Sequence, residues 1–257
     1  MTPKFLSLSE SIGYIWDHFS ESAPLRFERY LLESGNRQLD AMAKYRWNVE
    51  LCEALYPCLH TSELLLRNSI HRAMVEQYLS TSLPHHPDGS FPDEWWFDAT
   101  TKLGALLDGR DYKKVEDAKA KLKGRPVTTP QVVAELNFGF WVDLLNPEYE
   151  RTVVRPMLGT TMRRLKTGNR TQGWLRQHFA ELRDLRNRVM HHEAIYEMTD
   201  LQHLNHLAWQ VCKEVDPYMT NLLYRADRFD RVWTAGWKPT SDTLHVEARS
   251  LYANYRA

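Results

Sequence analysis

The sequence predicts an all-α protein. Apolar residues recur every three or four positions in several long stretches, which is the spacing of one face of a helix. No stretch of convincing strand length alternates apolar and polar residues. Glycine is scarce (11 of 257 residues) and tryptophan is abundant (9), which favours a helical protein with large core anchors over a turn-rich β fold.

The N-terminal helices are expected within residues 24–80. The longest covers residues 41–79, and Pro57 inside it predicts a kink or a break. One apolar stripe follows this helix: Trp47, Leu51, Leu55, Cys58, Ser62, Leu65, Ser69, Ala73 and Gln77 or Tyr78.

Residues 81–128 are predicted to form a loop and a charged excursion. The segment 81–92 is rich in proline and glycine and is expected to be a loop. Residues 93–125 are charged and only weakly periodic, which is typical of a solvated helix, with an RNA-facing patch as the alternative. The basic residues concerned are Lys113, Lys114, Lys119, Lys121 and Lys123.

Residues 129–225 carry the predicted bundle helices. One begins at Thr129-Pro130, a helix-start signal, and runs to Leu145. Asn146-Pro147 starts a short helix, and the next covers about 171–190. The last begins near Thr199, is expected to bend at Pro217, and carries one seam: Leu201, Leu204, Ala208, Val211, Val215, Tyr218 and Leu222. Residues 226–257 are interpreted as a polar tail whose two tryptophans pack back, so we expect one all-α domain over 1–257.

Composition narrows the classes of protein that fit. Lysine plus arginine and aspartate plus glutamate number 33 each, so a globally basic nucleic-acid binder is not indicated, although a local basic patch is compatible. Three cysteines without CxxC spacing predict reduced core thiols and a cytoplasmic protein. No segment has the pattern of a signal peptide or a membrane span, so no membrane partner is expected.

Motifs for cofactor chemistry are missing from the sequence. Neither GxxxxGK[ST] nor GxGxxG occurs, and no GxSxG elbow is present. His192-Glu193 begins like HExxH, but position 196 is tyrosine. His203 and His206 lie one turn apart, yet two ligands do not make a site. The sequence therefore predicts no cofactor and no metal site.

One predicted helix carries polar residues that its packing does not explain. In the helix expected over about 171–190, the predicted buried stripe is Leu175, Phe179, Leu182, Leu185 and Val189. On an ideal helix Arg186 lies about 40° from Leu182, inside this apolar stripe, where a charge needs a partner or an interface. Asn187 follows, and His191 and His192 come one turn later. A guanidinium, an amide and two imidazoles are the groups that a metal-free phosphodiester transfer uses.

A structural role for the same residues is the alternative. Arg186 would then pair with a core carboxylate such as Glu63, and the histidines would cap the helix C-terminus. The catalytic interpretation also has a geometric requirement. Arg186 and His191 are roughly 140° apart on an ideal helix. The helix must therefore end or distort near Met190, or a second subunit must contribute.

The wider pattern resembles a known family. The segment Arg186-Asn187-Arg188-Val189-Met190-His191 resembles the R-x(4–6)-H signature of the HEPN superfamily of ribonucleases. Four ordered blocks, spanning about residues 25–225, resemble its Abi-like (abortive infection) branch, and Met190 departs from the small residue or cysteine usual there. The blocks are Tyr45–Asn48, Glu63–Asn68, Glu135–Trp141 and Leu185–Glu193.

The resemblance implies a HEPN-like helical bundle and usually a homodimer, whose two R-x4-H motifs meet across a two-fold cleft. The implied reaction is metal-independent RNA cleavage by a toxin or phage-defence effector, restrained by an RNA or protein antitoxin or triggered by a phage. His191 would be the general acid or base and Arg186 the phosphate ligand, and Asn187 would orient Arg186 or the phosphate. His192 would be a second acid/base group or a helix-terminal support. Glu63, Arg67 and Asn68 would form a supporting polar network that positions the catalytic helix, in which Glu63 and Arg67 pair. A direct contact to RNA is the alternative role for these three residues.

RNA would then bind at a local basic patch, for which the candidates are Arg163, Arg164, Lys166 and Arg170, with a solvated loop as the alternative. Two other functions stay open at this point. One is a non-catalytic RNA-binding or scaffold HEPN protein, and the other is an unrelated all-α interaction module.

Overall fold

A computed structural model describes residues 24–35, 37–79, 107–122 and 128–254, with a few isolated positions before residue 24. Every regular element in these residues is helical and none is a strand, which confirms the all-α class. The α-helices are α1 (Pro24–Glu33), α2 (Gln38–Leu79), α3 (Gly109–Lys121), α4 (Thr129–Glu135), α5 (Phe138–Asp143), α6 (Arg155–Gly159), α7 (Gln172–Met190), α8 (Leu201–Val215), α9 (Pro217–Tyr224), α10 (Phe229–Ala235) and α11 (Lys238–Asn254).

Shorter turns connect some of these helices. They are the 3₁₀ turns Pro147–Tyr149, Thr167–Asn169 and Ile195–Glu197, and the π turn Glu150–Val154. Among the residues that the structure describes, no helix is both long enough and apolar enough to cross a membrane.

The chain divides into two compact units. Unit 1 comprises Met1–Tyr56, Arg188–Gln202 and Asp227–Ala257, and unit 2 comprises Pro57–Asn187 and His203–Ala226. Helices α2, α7 and α8 contribute residues to both units.

Unit 1 has an aromatic core. The ring of Tyr45 lies 4.9 Å from that of Phe27 and 5.8 Å from that of Tyr30. Trp47 lies 5.8 Å from both Tyr196 and Trp233. These tilted and edge-on contacts add to the stabilisation from apolar burial.

The predicted polar tail belongs to unit 1 and is helical, which corrects the prediction for residues 226–257. Helices α10 and α11 lie there. Both tryptophans pack back as expected, since the Trp233 ring lies 5.8 Å from the Trp47 ring and the Lys44 ammonium lies 5.5 Å from the Trp237 ring.

Unit 2 is built on the buried face of α7. The predicted stripe is buried at Leu175, Phe179, Leu182 and Leu185 in this unit, and at Val189 in the unit 1 part of the helix, which confirms that part of the prediction. Helix α5 adds Phe138, Phe140 and Trp141 to this core.

Helix α2 confirms the longest predicted helix. Its stripe is buried from Trp47 to Ala73, whereas Gln77 is exposed and the side chain of Tyr78 lies outside the described residues. The helix continues through Pro57, so no break occurs there. Proline removes one backbone hydrogen bond, and burial along the rest of the stripe outweighs that loss.

Two predicted helices are each divided by a polar cap. The helix expected over 129–145 becomes α4 and α5, because Asn137 accepts a hydrogen bond from the Phe140 N–H at 3.0 Å and starts a new helix. The cap of α4 is Thr128 rather than Thr129, and its N–H donates to Gln131 Oε1 at 3.1 Å.

The last predicted helix divides at Asp216. Its carboxylate accepts from the N–H groups of Tyr218 and Met219, both at 3.0 Å, so α8 ends at Val215 and α9 begins at Pro217. The predicted seam is therefore wrong at its end, and Tyr218 and Leu222 are exposed.

The charged excursion is partly described. Residues 81–106 and Lys123 lie outside the described residues. Helix α3 is not solvated all round, since Val115 and Ala118 are buried. Lys114, Lys119 and Lys121 each pair with a carboxylate, which partly neutralises three of the lysines of the RNA-facing alternative. Lys113 is exposed.

Candidate functional site

Helix α7 ends at Met190. The catalytic interpretation of the R-x4-H segment requires either such an end near Met190 or a contribution from a second subunit. The Glu193 N–H donates to the Arg188 carbonyl at 3.0 Å, and the His192 N–H donates to the Val189 carbonyl at 3.2 Å. These two bonds form a Schellman motif, which satisfies helix carbonyls while turning the chain away. His191 and His192 occupy the turn, and both are exposed.

His192 has a left-handed backbone with φ of 56°. This position normally carries glycine or asparagine, because a side chain there meets the backbone. Such a conformation costs about 1 kcal/mol or more and is often found at functional sites. The backbone of the two histidines therefore ends the helix, as the structural alternative expects. Both imidazole side chains are exposed.

Asn48 of α2 holds the segment after the two histidines. It is 2% exposed. Its Nδ2 donates to the Glu193 carbonyl at 2.9 Å, and its Oδ1 accepts from the N–H of Ile195 at 2.8 Å and of Tyr196 at 3.3 Å. One buried amide therefore fixes the backbone of the turn.

Sequence reasoning did not select Asn48 as a site residue. The helical spacing does indicate that Asn48 is buried, because it lies three residues before Leu51 and seven before Leu55, on the buried side of α2. A buried amide needs specific partners.

Arg186 and Asn187 lie in the unit 2 part of α7. Arg186 Nε lies 3.8 Å from Glu63 Oε2, and the two side chains are 32% and 26% exposed. The pairing with Glu63 is therefore real, but a partly exposed pair at this distance is weak, on the order of 1 kcal/mol or less. Asn187 is exposed.

The expected Glu63–Arg67 pair does not form. Arg67 Nε instead donates to Asn68 Oδ1 at 3.4 Å, while Glu63 pairs with Arg186. Burial and, second to it, the charge of Arg67 lower the pKa of His71. The three network candidates thus serve two neighbouring contacts rather than one closed network.

A pocket of about 580 Å³ lies beside the Schellman turn within unit 1. Its walls carry two guanidiniums and two carboxylates, paired as Arg29 with Glu197 and Arg188 with Glu193. Tyr30, Ala194 and Met198 complete the lining. Sequence reasoning did not predict this pocket, since its walls come from two distant segments.

The basic-patch candidates Arg163, Arg164, Lys166 and Arg170 are all exposed in unit 2. Lys166 Nζ lies 3.6 Å from a Glu214 carboxylate oxygen, so that lysine is partly neutralised.

The cysteines do not offer a nucleophile. All three are free, and Cys58 and Cys212 are buried as predicted. Burial raises the pKa of Cys212 to about 12 and that of Cys52 to about 11, so neither is a thiolate at neutral pH. The described residues also bring no three His, Cys, Asp or Glu side chains together in a way that would hold a metal ion.

Comparisons with known proteins give no relative from which to transfer a function. A scan against family models, a search of curated proteins and a search of solved structures each found no match. The HEPN resemblance therefore stays a prediction, and function has to be inferred from the chain itself.

Proposed function

We propose that this protein is a metal-independent HEPN-type endoribonuclease. The observation that carries the proposal is the exposed His191-His192 turn, held by buried Asn48 with His192 in a left-handed conformation. Glycine would end the helix at lower cost. Two surface imidazoles kept in a strained, fixed turn favour a chemical role over a purely structural one.

The proposed reaction is transesterification of RNA. The 2′-hydroxyl attacks the adjacent phosphorus and the bond to O5′ breaks, which leaves a 2′,3′-cyclic phosphate and a 5′-hydroxyl. One imidazole accepts the 2′-hydroxyl proton and another group donates a proton to O5′. His191 takes the first role or the second, and His192 or a histidine of a homodimer partner supplies the complementary one.

Arg186 is proposed to bind the phosphate and stabilise its developing charge, with Asn187 orienting that contact. The weak pair with Glu63 supports this role, because a guanidinium held at 3.8 Å keeps donors available. A phosphate offers charge-assisted, bidentate hydrogen bonds that compete well with such a pair.

The family resemblance also supports a proposal for the role of the enzyme in the cell. The enzyme would act as a toxin or abortive-infection effector in the cytoplasm, as a homodimer. An RNA or protein antitoxin, or a phage-derived trigger, would control it.

The test is a cleavage assay on mixed cellular RNA in EDTA. Wild type is compared with His191→Ala and with His203→Ala, an exposed histidine on α8 that serves as the matched control. We expect cyclic-phosphate ends with wild type and His203→Ala, and a loss of about 10²- to 10⁴-fold with His191→Ala. DNA should stay intact, since it lacks the 2′-hydroxyl.

Three results would contradict the mechanism: inhibition by the chelator, equal cleavage of DNA, or full activity of His191→Ala. RNA binding by wild type without any turnover would instead support the non-catalytic RNA-binding protein.

A further inference from the structure

Helix α9 presents an aromatic and apolar face to solvent within unit 2. Tyr218 and Leu222, one turn apart, are 78% and 69% exposed. The Arg164 guanidinium carbon lies 5.7 Å from the centre of the Tyr218 ring, which is a cation–π distance. An exposed aromatic face beside an arginine is the arrangement on which unpaired bases stack.

The loop that carries Arg164 is fixed at both ends. The Thr161 hydroxyl donates to the Ser69 carbonyl at 3.0 Å. Further along, Asn169 Nδ2 and the backbone N–H of Lys166 donate to the Glu214 carboxylate at 3.1 and 3.3 Å. Because Glu214 lies in the last turn of α8, this anchor ties the loop to the helix that directly precedes α9.

Two more arginines of the same loop are held in place. Arg163 donates to the Gly159 carbonyl and Arg170 donates to the Leu158 carbonyl, two consecutive acceptors at the end of α6. A guanidinium has five N–H donors, so each keeps donors available for a ligand. Fixed guanidiniums lose less conformational entropy when they bind phosphate.

We infer that Tyr218, Arg163, Arg164 and Arg170 form a binding surface for single-stranded RNA. An unpaired base stacks on Tyr218 beside Arg164, and backbone phosphates contact Arg163 and Arg170. Lys166 is left out because its pair with Glu214 partly neutralises it. This inference rests on the proposed function, since the surface would bind the RNA substrate of the proposed ribonuclease.

Charge decides between RNA and a second copy of the chain as the occupant. Three exposed arginines suit a polyanion. In a two-fold contact centred on this face, the arginines of both copies would face one another, which is unfavourable.

The test measures binding in a protein that does not cleave. Fluorescence anisotropy with a labelled 12-nucleotide oligouridylate is carried out on His191→Ala, and Tyr218→Ala or Tyr218→Phe is added. We expect Tyr218→Ala to weaken binding about 5- to 100-fold and Tyr218→Phe to retain most of the affinity, because stacking needs only the ring. Tyr56→Ala, at another exposed tyrosine, is the control and should bind as before.

A second variant tests the phosphate contacts. Replacing Arg163 and Arg170 together with Gln should reduce the slope of log affinity against log salt by about 1.4, because each contact to single-stranded nucleic acid contributes about 0.7. An RNA duplex of the same length should bind more weakly than the single strand, since its bases are not available to stack.

Unchanged affinity in Tyr218→Ala, or failure of the His191→Ala protein to bind the oligonucleotide, would overturn the inference. A change from dimer to monomer in sedimentation, with unchanged RNA affinity, would assign the face to a subunit interface instead. None of these readouts depends on cleavage. The binding assay can therefore disprove the RNA-binding surface without disproving the ribonuclease activity, and the cleavage assay can disprove the activity without disproving the surface.

Discussion

The side-chain oxygen of Asn48 accepts a hydrogen bond from the backbone N–H of Ile195 at 2.8 Å, across 147 residues of sequence. The same amide donates to the Glu193 carbonyl. The turn that bears His191 and His192 is therefore held by a tertiary contact as well as by its own Schellman bonds. A position fixed in this way can keep a non-glycine residue in a left-handed conformation.

Asn48→Ala should destabilise the protein by about 2–4 kcal/mol, because it leaves the buried Ile195 N–H and the partly buried Glu193 carbonyl without their partner. Urea unfolding measures the change. Asn205→Ala is the control, since Asn205 is equally buried but its Oδ1 accepts no hydrogen bond from the described residues. An equal cost for the two variants would show that the Asn48 contacts add nothing beyond burial.

His192→Gly should raise stability by about 0.5–1 kcal/mol, because glycine adopts a φ of 56° without steric cost. If His192 takes part in the reaction, the stabilised variant also loses activity. Thermal unfolding and the cleavage assay are measured on the same preparation. His191→Gly is the contrasting variant, and it should not be stabilised, since His191 does not have positive φ.

Arg186→Ala should reduce RNA cleavage by orders of magnitude and change stability by less than about 1 kcal/mol, because its pair with Glu63 is long and partly exposed. Glu63→Gln tests the other partner and should leave folding intact. A large loss of stability in Arg186→Ala would instead assign this arginine a structural role.

The helices were predictable where burial follows the helical period. The α7 stripe and most of the α2 stripe are buried as their spacing indicates. Periodicity fails where one polar residue satisfies the backbone better by starting a new helix. Asn137 and Asp216 both do this, and Asp216 turns Tyr218 away from the apolar seam that the spacing predicted.

The candidate site was predictable in part for a related reason. Arg186 was selected because its charge lies within an apolar stripe. Since a buried charge needs a partner, Glu63 was named as a candidate, and the two side chains do pair. Asn48 lies in one of the four family blocks but was assigned no role, because its partners are backbone groups of a distant segment and side-chain patterns do not show such contacts. The exposed surface at Tyr218 depends on a helix break and could not be read from the seam.

Asp111→Ala should destabilise the protein by about 3–5 kcal/mol, because Asp111 is completely buried and accepts from Tyr149 and Lys114 at 2.8 and 2.7 Å. Removing it leaves Lys114 with Asp143 alone. Urea unfolding is the measurement, and Asp117→Ala at an exposed position of α3 should cost less than about 0.5 kcal/mol.

Glu214→Gln should lower stability by about 1 kcal/mol at pH 7 and remove part of the loss of stability in acid. Burial alone would raise the pKa of the Glu214 carboxyl. Hydrogen bonds from Asn169 and from the Lys166 backbone outweigh that effect and hold the pKa below its ordinary value of 4.5. A carboxyl with a depressed pKa in the folded state contributes stability above its unfolded pKa, and that contribution disappears as the pH falls through the folded pKa. The difference between wild type and variant should therefore be largest above about pH 5 and shrink below pH 4.5.

Urea unfolding across pH 3–7 measures this difference in stability. Glu148→Gln, at an exposed glutamate, is the control and should show no such trend. A difference that stayed constant across this range would mean that Glu214 acts through packing rather than through its charge.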